Sequence, residues 1–201
     1  VRQIYQAKNQ LIWVATDAGL YQLGEQKWQR FLTDQSVATI KQDVDGQLWV
    51  GGSLGLYRFD GSSWQQKTKG NINCIYQLSD GTMLIGSDAG LWIESSIEQQ
   101  ELIVSQPQAH IKGIFQATND VIWFRSDLGI FSYDGHSWTK HGRSAGNYGR
   151  LGLKAEIYEA ADGTMWFTDG LLYSYKDGTW KSDSRGAWSV GVTTTSDGRV
   201  W

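Results

Sequence analysis

The chain contains very few of the residues that interrupt a β-sheet or crosslink it. Its 201 residues include one cysteine, Cys74, and one proline, Pro107. One cysteine excludes an internal disulfide, and Cys74 is expected to be a small buried residue. Rarity of proline suits a strand-rich chain, because proline removes a hydrogen bond from the ladder. No helical period is present either, so the chain is predicted to be all-β.

Long hydrophobic runs and an excess of one charge are also missing. No stretch of 18 apolar residues occurs, so no membrane contact is expected from this segment. Eighteen Lys and Arg residues stand against 21 Asp and Glu residues, for a net charge of −3. That balance provides no basic face for nucleic acid, which is excluded as a partner.

The usual motifs of catalysis, phosphate binding and metal binding are absent from the sequence. There is no glycine-rich phosphate loop, no nucleophile elbow and no zinc spacing. A calcium loop beginning at Asp43 would need a glutamate at its twelfth position, which is Leu54. His110, His136 and His141 have no metal-ligand companions, and the last two are expected to be solvated. No catalytic residue, metal or cofactor is therefore predicted.

What the chain does have is a repeat that is rich in tryptophan, of which it contains 11. Six copies are marked at one position by Trp13, Trp49, Leu84, Trp123, Trp166 and Trp201, at steps of 36, 35, 39, 43 and 35 residues. A period of this length is typical of an array of small structural units.

Each copy predicts four short strands. The first strand is anchored by an aliphatic residue and covers residues 4–6, 40–42, 75–77, 114–116, 157–159 and 192–194. A turn such as Asp45-Gly46 follows, which is a signal for a type I′ hairpin. The second strand, as in residues 48–51, has consecutive apolar residues, so we expect it to be covered on both faces. A third strand leads to a half-exposed fourth strand around residues such as Trp64.

Four antiparallel strands per repeat describe a blade of a β-propeller. The predicted blades cover residues 1–34, 35–70, 71–109, 110–152, 153–187 and, in part, 188–201. They form one domain over 1–201 with five full repeats and a partial sixth. Because both ends fall inside a repeat, we expect the chain to be part of a longer protein.

The clearest copy also carries a resemblance to a known family. It reads Gln42-Asp43-x-Asp45-Gly46-x-Leu48-Trp49-Val50-Gly51 and then Gly55-Leu56-Tyr57-Arg58-Phe59-Asp60. This string resembles the two-component regulator propeller repeat, and the likeness extends over essentially the whole chain. The resemblance implies a propeller of about seven blades, of which this chain is a fragment. It also implies a periplasmic or extracellular ligand sensor of a membrane-anchored bacterial protein, with a downstream signalling domain such as a histidine kinase or a diguanylate cyclase.

The tryptophans themselves are interpreted mainly as core. Those on the second strand lie where both faces are covered, so packing is favoured over stacking on a sugar ring. The tryptophans of the fourth strand are Trp28, Trp64, Trp138 and Trp180. Core packing is favoured for them as well, but sugar stacking remains open.

A binding site is expected where the repeat is broken rather than where it recurs. Two positions after the second-strand marker the copies read Ala15, Gly51, Gly86, Arg125 and Thr168. Only Arg125 is a long cation, and either an anionic ligand or a structural ion pair would explain it. The starts of the first strands differ too, with Arg2, Asn73, Lys112 and Glu156 placed around a channel mouth. Filling by water is the alternative for this ring.

Two insertions add further candidates, at residues 94–110 and 141–152. The second contains Tyr148 and Arg150, although an adventitious loop explains it equally well. Trp188 is a candidate because no other copy has an aromatic residue near its strand start. The predicted ligand-binding residues are Arg125, Lys112, Glu156, Tyr148, Arg150 and Trp188.

Three functions compete at this point. The favoured one is a non-enzymatic sensor of a small-molecule or oligosaccharide ligand. A protein–protein scaffold is the second, and a propeller lyase or hydrolase using Glu156 with Lys112 is the third. In isolation the chain is expected to be marginally stable, because an interrupted ring leaves strand edges open.

Overall fold

The computed structural model describes residues 1–24, 27–94, 109–141, 156–168 and 172–183. These residues form 19 β-strands in five antiparallel sheets and contain no α-helix. No helix in the described ranges is long and apolar enough to cross a membrane.

Each sheet is a meander in which neighbouring strands follow one another in the chain. Sheet one contains β1 Gln3–Gln6, β2 Ile12–Thr16, β3 Gly19–Leu23 and β4 Trp28–Phe31. Sheet two contains β5 Val37–Gln42, β6 Leu48–Gly52, β7 Gly55–Phe59 and β8 Trp64–Thr68. Sheet three contains, within the described residues, β9 Ile72–Gln77, β10 Met83–Ser87 and β11 Gly90–Ile93.

The last two sheets repeat the same order. Sheet four contains β12 Ile111–Gln116, β13 Ile122–Ser126, β14 Gly129–Tyr133 and β15 Trp138–Lys140. Sheet five contains β16 Ile157–Glu159, β17 Met165–Thr168, β18 Leu172–Lys176 and β19 Thr179–Asp183. The first strand predicted in each of the first five copies is thus confirmed, while the sixth copy lies outside the described residues.

The turns confirm the hairpins but correct their type. At Asp45-Gly46 only the glycine has a positive φ, of 84°, and Gly46 N–H donates to the carbonyl of Asp43 at 3.2 Å. This is a type I turn closed by a left-handed residue, as in hairpin loops of three residues. The type I′ pattern does occur at Asp177-Gly178, where φ is 48° and 78°.

The second strands of sheets two and three are covered on both faces, as predicted, whereas half-buried and buried residues alternate in β2. Every residue of β6 and β10 is buried. The markers Trp13, Trp49 and Trp123 are between 1% and 5% exposed. Trp166 is only half-buried, and Trp201 lies outside the described residues.

The chain divides into two compact units, Val1–Ile111 and Lys112–Trp201. In unit 1, Trp13 of sheet one packs against Phe59 and Trp64 of sheet two, with 6.1 Å between ring centroids in both pairs. In unit 2, Phe167 and Trp180 pack at 5.2 Å. Trp64 and Trp180 are half-buried and pack against the core, in line with the packing role predicted for them.

Two of the fourth-strand tryptophans depart from that prediction. Trp28 is 55% exposed and Trp138 is 38% exposed. Trp138 stacks on Tyr133 at 4.9 Å on the surface of its own sheet. An outer tryptophan is buried only where a neighbouring sheet covers it, which the repeat pattern does not reveal.

Glycines on the second strand allow close approach of the next sheet. A Cβ added to Gly51 would overlap Cγ2 of Ile72, and one added to Gly86 would lie 2.7 Å from Cγ2 of Ile111. Both isoleucines stand at the first position of the following sheet. Small residues at this place are therefore part of the packing between sheets.

Candidate functional site

One edge of the sheets in unit 1 collects polar side chains from different copies. Because β1 and β2 are antiparallel, with Gln3 opposite Ala15, the start of the first strand lies beside the turn that follows β2. We call this the starting edge. Its polar residues are Arg2, Asp17, Ser36, Asn71, Asn73, Asp88 and His110.

A recurring turn presents the aspartates of this edge. In sheet one, Thr16 Oγ1 accepts from Ala18 N–H at 3.0 Å and donates to the carbonyl of Gly19 at 2.8 Å. The same two hydrogen bonds are made by the hydroxyls of Ser87 and Ser126. In every case an aspartate follows the hydroxyl residue, so the turn fixes the backbone position from which the aspartate side chain extends.

Arg2, predicted to line the channel mouth, is held by the first of these aspartates. Its Nη2 lies 2.6 Å from Asp17 Oδ1, and Ser36 Oγ donates to the same oxygen at 3.3 Å. The hydrogen bond from Arg2 holds the pKa of Asp17 below its ordinary value. Both side chains are substantially exposed, so the pair is a surface contact that a ligand can reach.

Asn73, the second residue predicted for this ring, belongs to a larger cluster. Its Nδ2 donates to Asp88 Oδ1 at 2.9 Å and to the carbonyl of Ile111 at 3.0 Å. Asn71 donates to Asp88 Oδ2 at 3.0 Å, and His110 Nδ1 lies 3.9 Å from Asp88 Oδ1. Amides, a carboxylate and an imidazole thus converge at one point. We call Asn71, Asn73, Asp88 and His110 the blade-three cluster.

In unit 2 the corresponding residues are less organised. Lys112 is half-buried in β12, and Glu156 is exposed just before β16. Glu156 N–H donates to Thr168 Oγ1 at 2.8 Å. The described side chains of Lys112 and Glu156 form no direct ion pair.

Arg125, the cation that breaks the repeat, lies inside unit 2. It stands in β13 opposite Ile130 and is only 7% exposed. The other predicted ligand residues, Tyr148, Arg150 and Trp188, lie outside the described residues.

Two other conspicuous side chains are packed rather than reactive. Cys74 is half-buried, and burial raises the pKa of its thiol to about 12. His141 was expected to be solvated, which is wrong. It stacks on Trp123 at 4.7 Å, its Nε2 lies 2.8 Å from Ser132 Oγ, and burial lowers its pKa.

The sequence interpretation found Asn73 but missed Asn71 and Asp88. A signal for Asp88 was present, because a hydroxyl residue followed by aspartate precedes the third-strand glycine in four copies, at Asp17, Asp88, Asp127 and Asp169. Counting that pattern would have identified the turn aspartates as a set.

The fold and the edge geometry together define the class: the chain is a β-propeller fragment built of four-stranded blades. No protein-family model matches the sequence, and no curated protein matches it.

Solved structures do match. One is the extracellular domain of BT4673 from B. thetaiotaomicron, assigned to the one component systems, with a TM-score of 0.71 and 15% identity over 96% of this chain and 32% of that one. Another is the extracellular domain of BT3049 from the same organism, assigned to the hybrid two component systems, with a TM-score of 0.61 and 17% identity over 100% and 36%. A third is virginiamycin B lyase from Staphylococcus aureus, with a TM-score of 0.68 and 12% identity over 98% and 75%.

At these low sequence identities, the matches show a shared fold alone. The chain spans about a third of the length of the two extracellular domains.

Proposed function

We propose that this chain is part of the extracytoplasmic sensor propeller of a membrane-anchored bacterial receptor, and that it binds its ligand without converting it. The supporting observation is the likeness to two extracellular domains assigned to one and two component systems. Occupancy of the propeller would be passed to a downstream signalling domain in the parent protein.

The ligand we propose is a small molecule or an oligosaccharide. The blade-three cluster supports this choice, because its two amides, carboxylate and imidazole can both donate to and accept from hydroxyl groups. Such placed polar groups are what fixes the orientation of a bound ligand. The residues predicted from the sequence, Arg125, Lys112, Glu156, Tyr148, Arg150 and Trp188, remain part of the proposal.

Binding is favoured over catalysis by two observations. General acid–base chemistry needs a positioned pair of groups, and Lys112 and Glu156 form no ion pair in the described part of the chain. A nucleophilic cysteine needs a lowered pKa, whereas that of Cys74 is raised to about 12. The likeness to a lyase propeller therefore supports the same fold with a different use.

The test is a screen of this chain against oligosaccharide, metabolite and peptide libraries by thermal shift, followed by calorimetry on the hits. Substituting Asp88→Asn should weaken binding of the ligand by about tenfold or more, because it removes a charged acceptor. Asp34→Asn is the matched control, since Asp34 is exposed and outside the cluster. Equal affinity in both variants would reject the cluster as the site, and turnover of the ligand would reject the non-enzymatic function.

A further inference from the structure

A groove of about 300 Å³ opens between sheets two and three of unit 1, at the edge opposite the starting edge. Sheet two contributes Asp43, Asp45, Trp49 and Arg58, and sheet three contributes Met83 and Glu94. We call it the turn-edge groove. None of its residues takes part in the proposed sensor site.

A side-chain contact that is made at two other junctions is absent between sheets two and three among the described residues. Between sheets one and two, Lys8 Nζ donates to the carbonyls of Asp43 and Val44 at 3.0 and 3.1 Å. In unit 2, Thr118 donates through its N–H and hydroxyl to Glu159 at 2.7 and 2.8 Å. The residue equivalent to Lys8 and Thr118 in sheet two is Val44, which has no side-chain donor and is 64% exposed.

Two groove residues occur in no other copy at their positions. Asp43 takes the place of an apolar residue, since the equivalent positions of the other four full copies hold Ala7, Leu78, Ala117 and Ala160. Arg58 stands opposite Trp49 in the strand register. The residues opposite the equivalent markers are Gln22, Ile93, Ser132 and Ser174. The groove is thus specific to the second blade rather than a feature of the repeat.

Trp49 holds this pair in place. Its Nε1 donates to Asp43 Oδ2 at 2.8 Å, and Gln47 N–H donates to Asp43 Oδ1 at 2.8 Å. The Cζ atom of Arg58 lies 5.6 Å from the centre of the Trp49 ring. Because Trp49 is only 1% exposed, its face is not available to stack on a sugar.

Arg58 has more N–H donors than it uses in hydrogen bonds to the described residues. Within the described residues its one hydrogen bond runs from Nη2 to Gln65 Oε1 at 3.4 Å, and its buried Nε has no partner. A guanidinium offers five N–H donors in a planar fork that suits a carboxylate. The groove therefore presents an anion-binding group whose donors are largely unused.

The remaining charges of the groove have the opposite sign. Among the lining residues, Asp43, Asp45 and Glu94 give three carboxylates against the guanidinium of Arg58, a balance of −2, and the Lys8 ammonium on the carbonyls of Asp43 and Val44 reduces it to −1. A ligand that matches this distribution carries a carboxylate and an excess of positive charge. The volume lies at the lower end of the range for small-molecule pockets, so the ligand is small.

We propose that the turn-edge groove binds a basic amino acid, with the ligand carboxylate on Arg58 and the ligand cations on Asp43, Asp45 and Glu94. This site is independent of the blade-three cluster, and its test does not require the signalling function.

The test is calorimetry of the 201-residue chain with three related probes. L-Arginine should bind, whereas citrulline, which has a neutral side chain of the same shape, should bind at least about tenfold more weakly. Agmatine, which lacks the carboxylate, should also bind about tenfold more weakly. In Arg58→Gln the affinity for arginine should fall to that for agmatine, while agmatine itself is unaffected.

Charge-matched controls separate the groove from a general electrostatic effect. Arg30→Gln removes a cation that lies over Tyr21 in sheet one, and Asp177→Asn removes an exposed carboxylate in unit 2. Neither should change binding of arginine, whereas Glu94→Gln should weaken it. If Arg58→Gln does not fold, the comparison of the three probes on the native chain decides alone. Equal affinities for arginine and citrulline, no saturable binding of arginine, or binding of a neutral sugar at this groove would overturn the proposal.

Discussion

At the scale of the residue, the position two places after the second-strand marker sets how closely successive sheets approach. Across the junctions of unit 1, Gly51 faces Ile72 and Gly86 faces Ile111, while Ala15 and Val37 belong to one core cluster. Glycine, the smallest residue, faces isoleucine. Alanine, which is larger than glycine, shares its cluster with valine, which is smaller than isoleucine. The sequence displays all six residues, but it does not reveal which of them face each other.

A methyl group at Gly51 should therefore be destabilising. We expect Gly51→Ala to lower the free energy of unfolding by roughly 1–3 kcal/mol, because it overlaps Ile72 Cγ2 in a closed core. In an Ile72→Ala background the same substitution should cost less, since the overlapping atom is gone. Urea unfolding of the four proteins in this cycle measures both values, and strict additivity would contradict the explanation.

At the scale of the element, the turn between the second and third strands is held by one hydroxyl. Ser87 Oγ accepts from Ala89 N–H at 3.1 Å, donates to the carbonyl of Gly90 at 3.0 Å and accepts from Trp92 Nε1 at 3.0 Å. Ser87 is 4% exposed, so these groups cannot turn to water instead.

Removing the Ser87 hydroxyl should therefore leave the indole N–H of Trp92 without its hydrogen-bond acceptor. We expect Ser87→Ala to cost about 1–3 kcal/mol of unfolding free energy, since a buried donor loses its acceptor. Ser87→Thr should be nearly neutral, because Thr16 makes the same turn in sheet one. Chemical denaturation compares the two, and equal losses would show that shape rather than the hydroxyl matters.

The aromatic cluster of unit 2 gives the stability a pH dependence of known sign. Burial lowers the pKa of His141 below its ordinary value of about 6.5. The unfolded chain consequently takes up the proton first, so the stability is complete above about pH 6.5 and is lost as the pH falls through the lower folded value.

Melting temperatures between pH 8 and 5 test this dependence. The wild-type protein should lose more stability on acidification than His141→Phe, which cannot be protonated. His136→Gln is the control, since it removes an exposed histidine that lies outside the aromatic cluster. A steeper acid loss in His141→Phe would contradict the assignment.

At the scale of the whole molecule, sheet one has an apolar face that no described residue covers. Val1 is 81%, Ile4 68% and Trp28 55% exposed. The equivalent Val37 and Ile40 of sheet two are each 1% exposed. An uncovered face of this kind favours association through strand edges and apolar contacts.

The isolated chain should therefore associate as its concentration rises. Sedimentation velocity should show larger species at higher concentration, and Ile4→Thr with Trp28→Gln should reduce them. Leu54→Gln is the control, because Leu54 is 53% exposed in a turn of sheet two and not on that face. A monomer with a cooperative melt that is independent of concentration would contradict both this prediction and the expected marginal stability.

How much could be predicted from the sequence depends on whether a feature is local or involves contacts between sheets. Strand positions in the first five copies and burial of the second strands β6 and β10 follow from local patterns that recur, and these were recovered. Burial of Trp64 but not Trp28, and the packing of His141 on Trp123, depend on which sheet lies next to each side chain. The blade-three cluster was half found for the same reason, since Asn71 and Asp88 are brought together only when β9 and β10 pair.

The size matching between sheets also bears on how such a gene can gain and lose repeats. Deleting the third repeat would bring Gly51 against Ile111, which preserves a glycine facing an isoleucine. Deleting the second repeat would instead bring Ala15 against Ile72, with the methyl group that Gly51 avoids. At this packing position, loss of the third repeat would therefore conserve the contact, whereas loss of the second repeat would introduce an overlap.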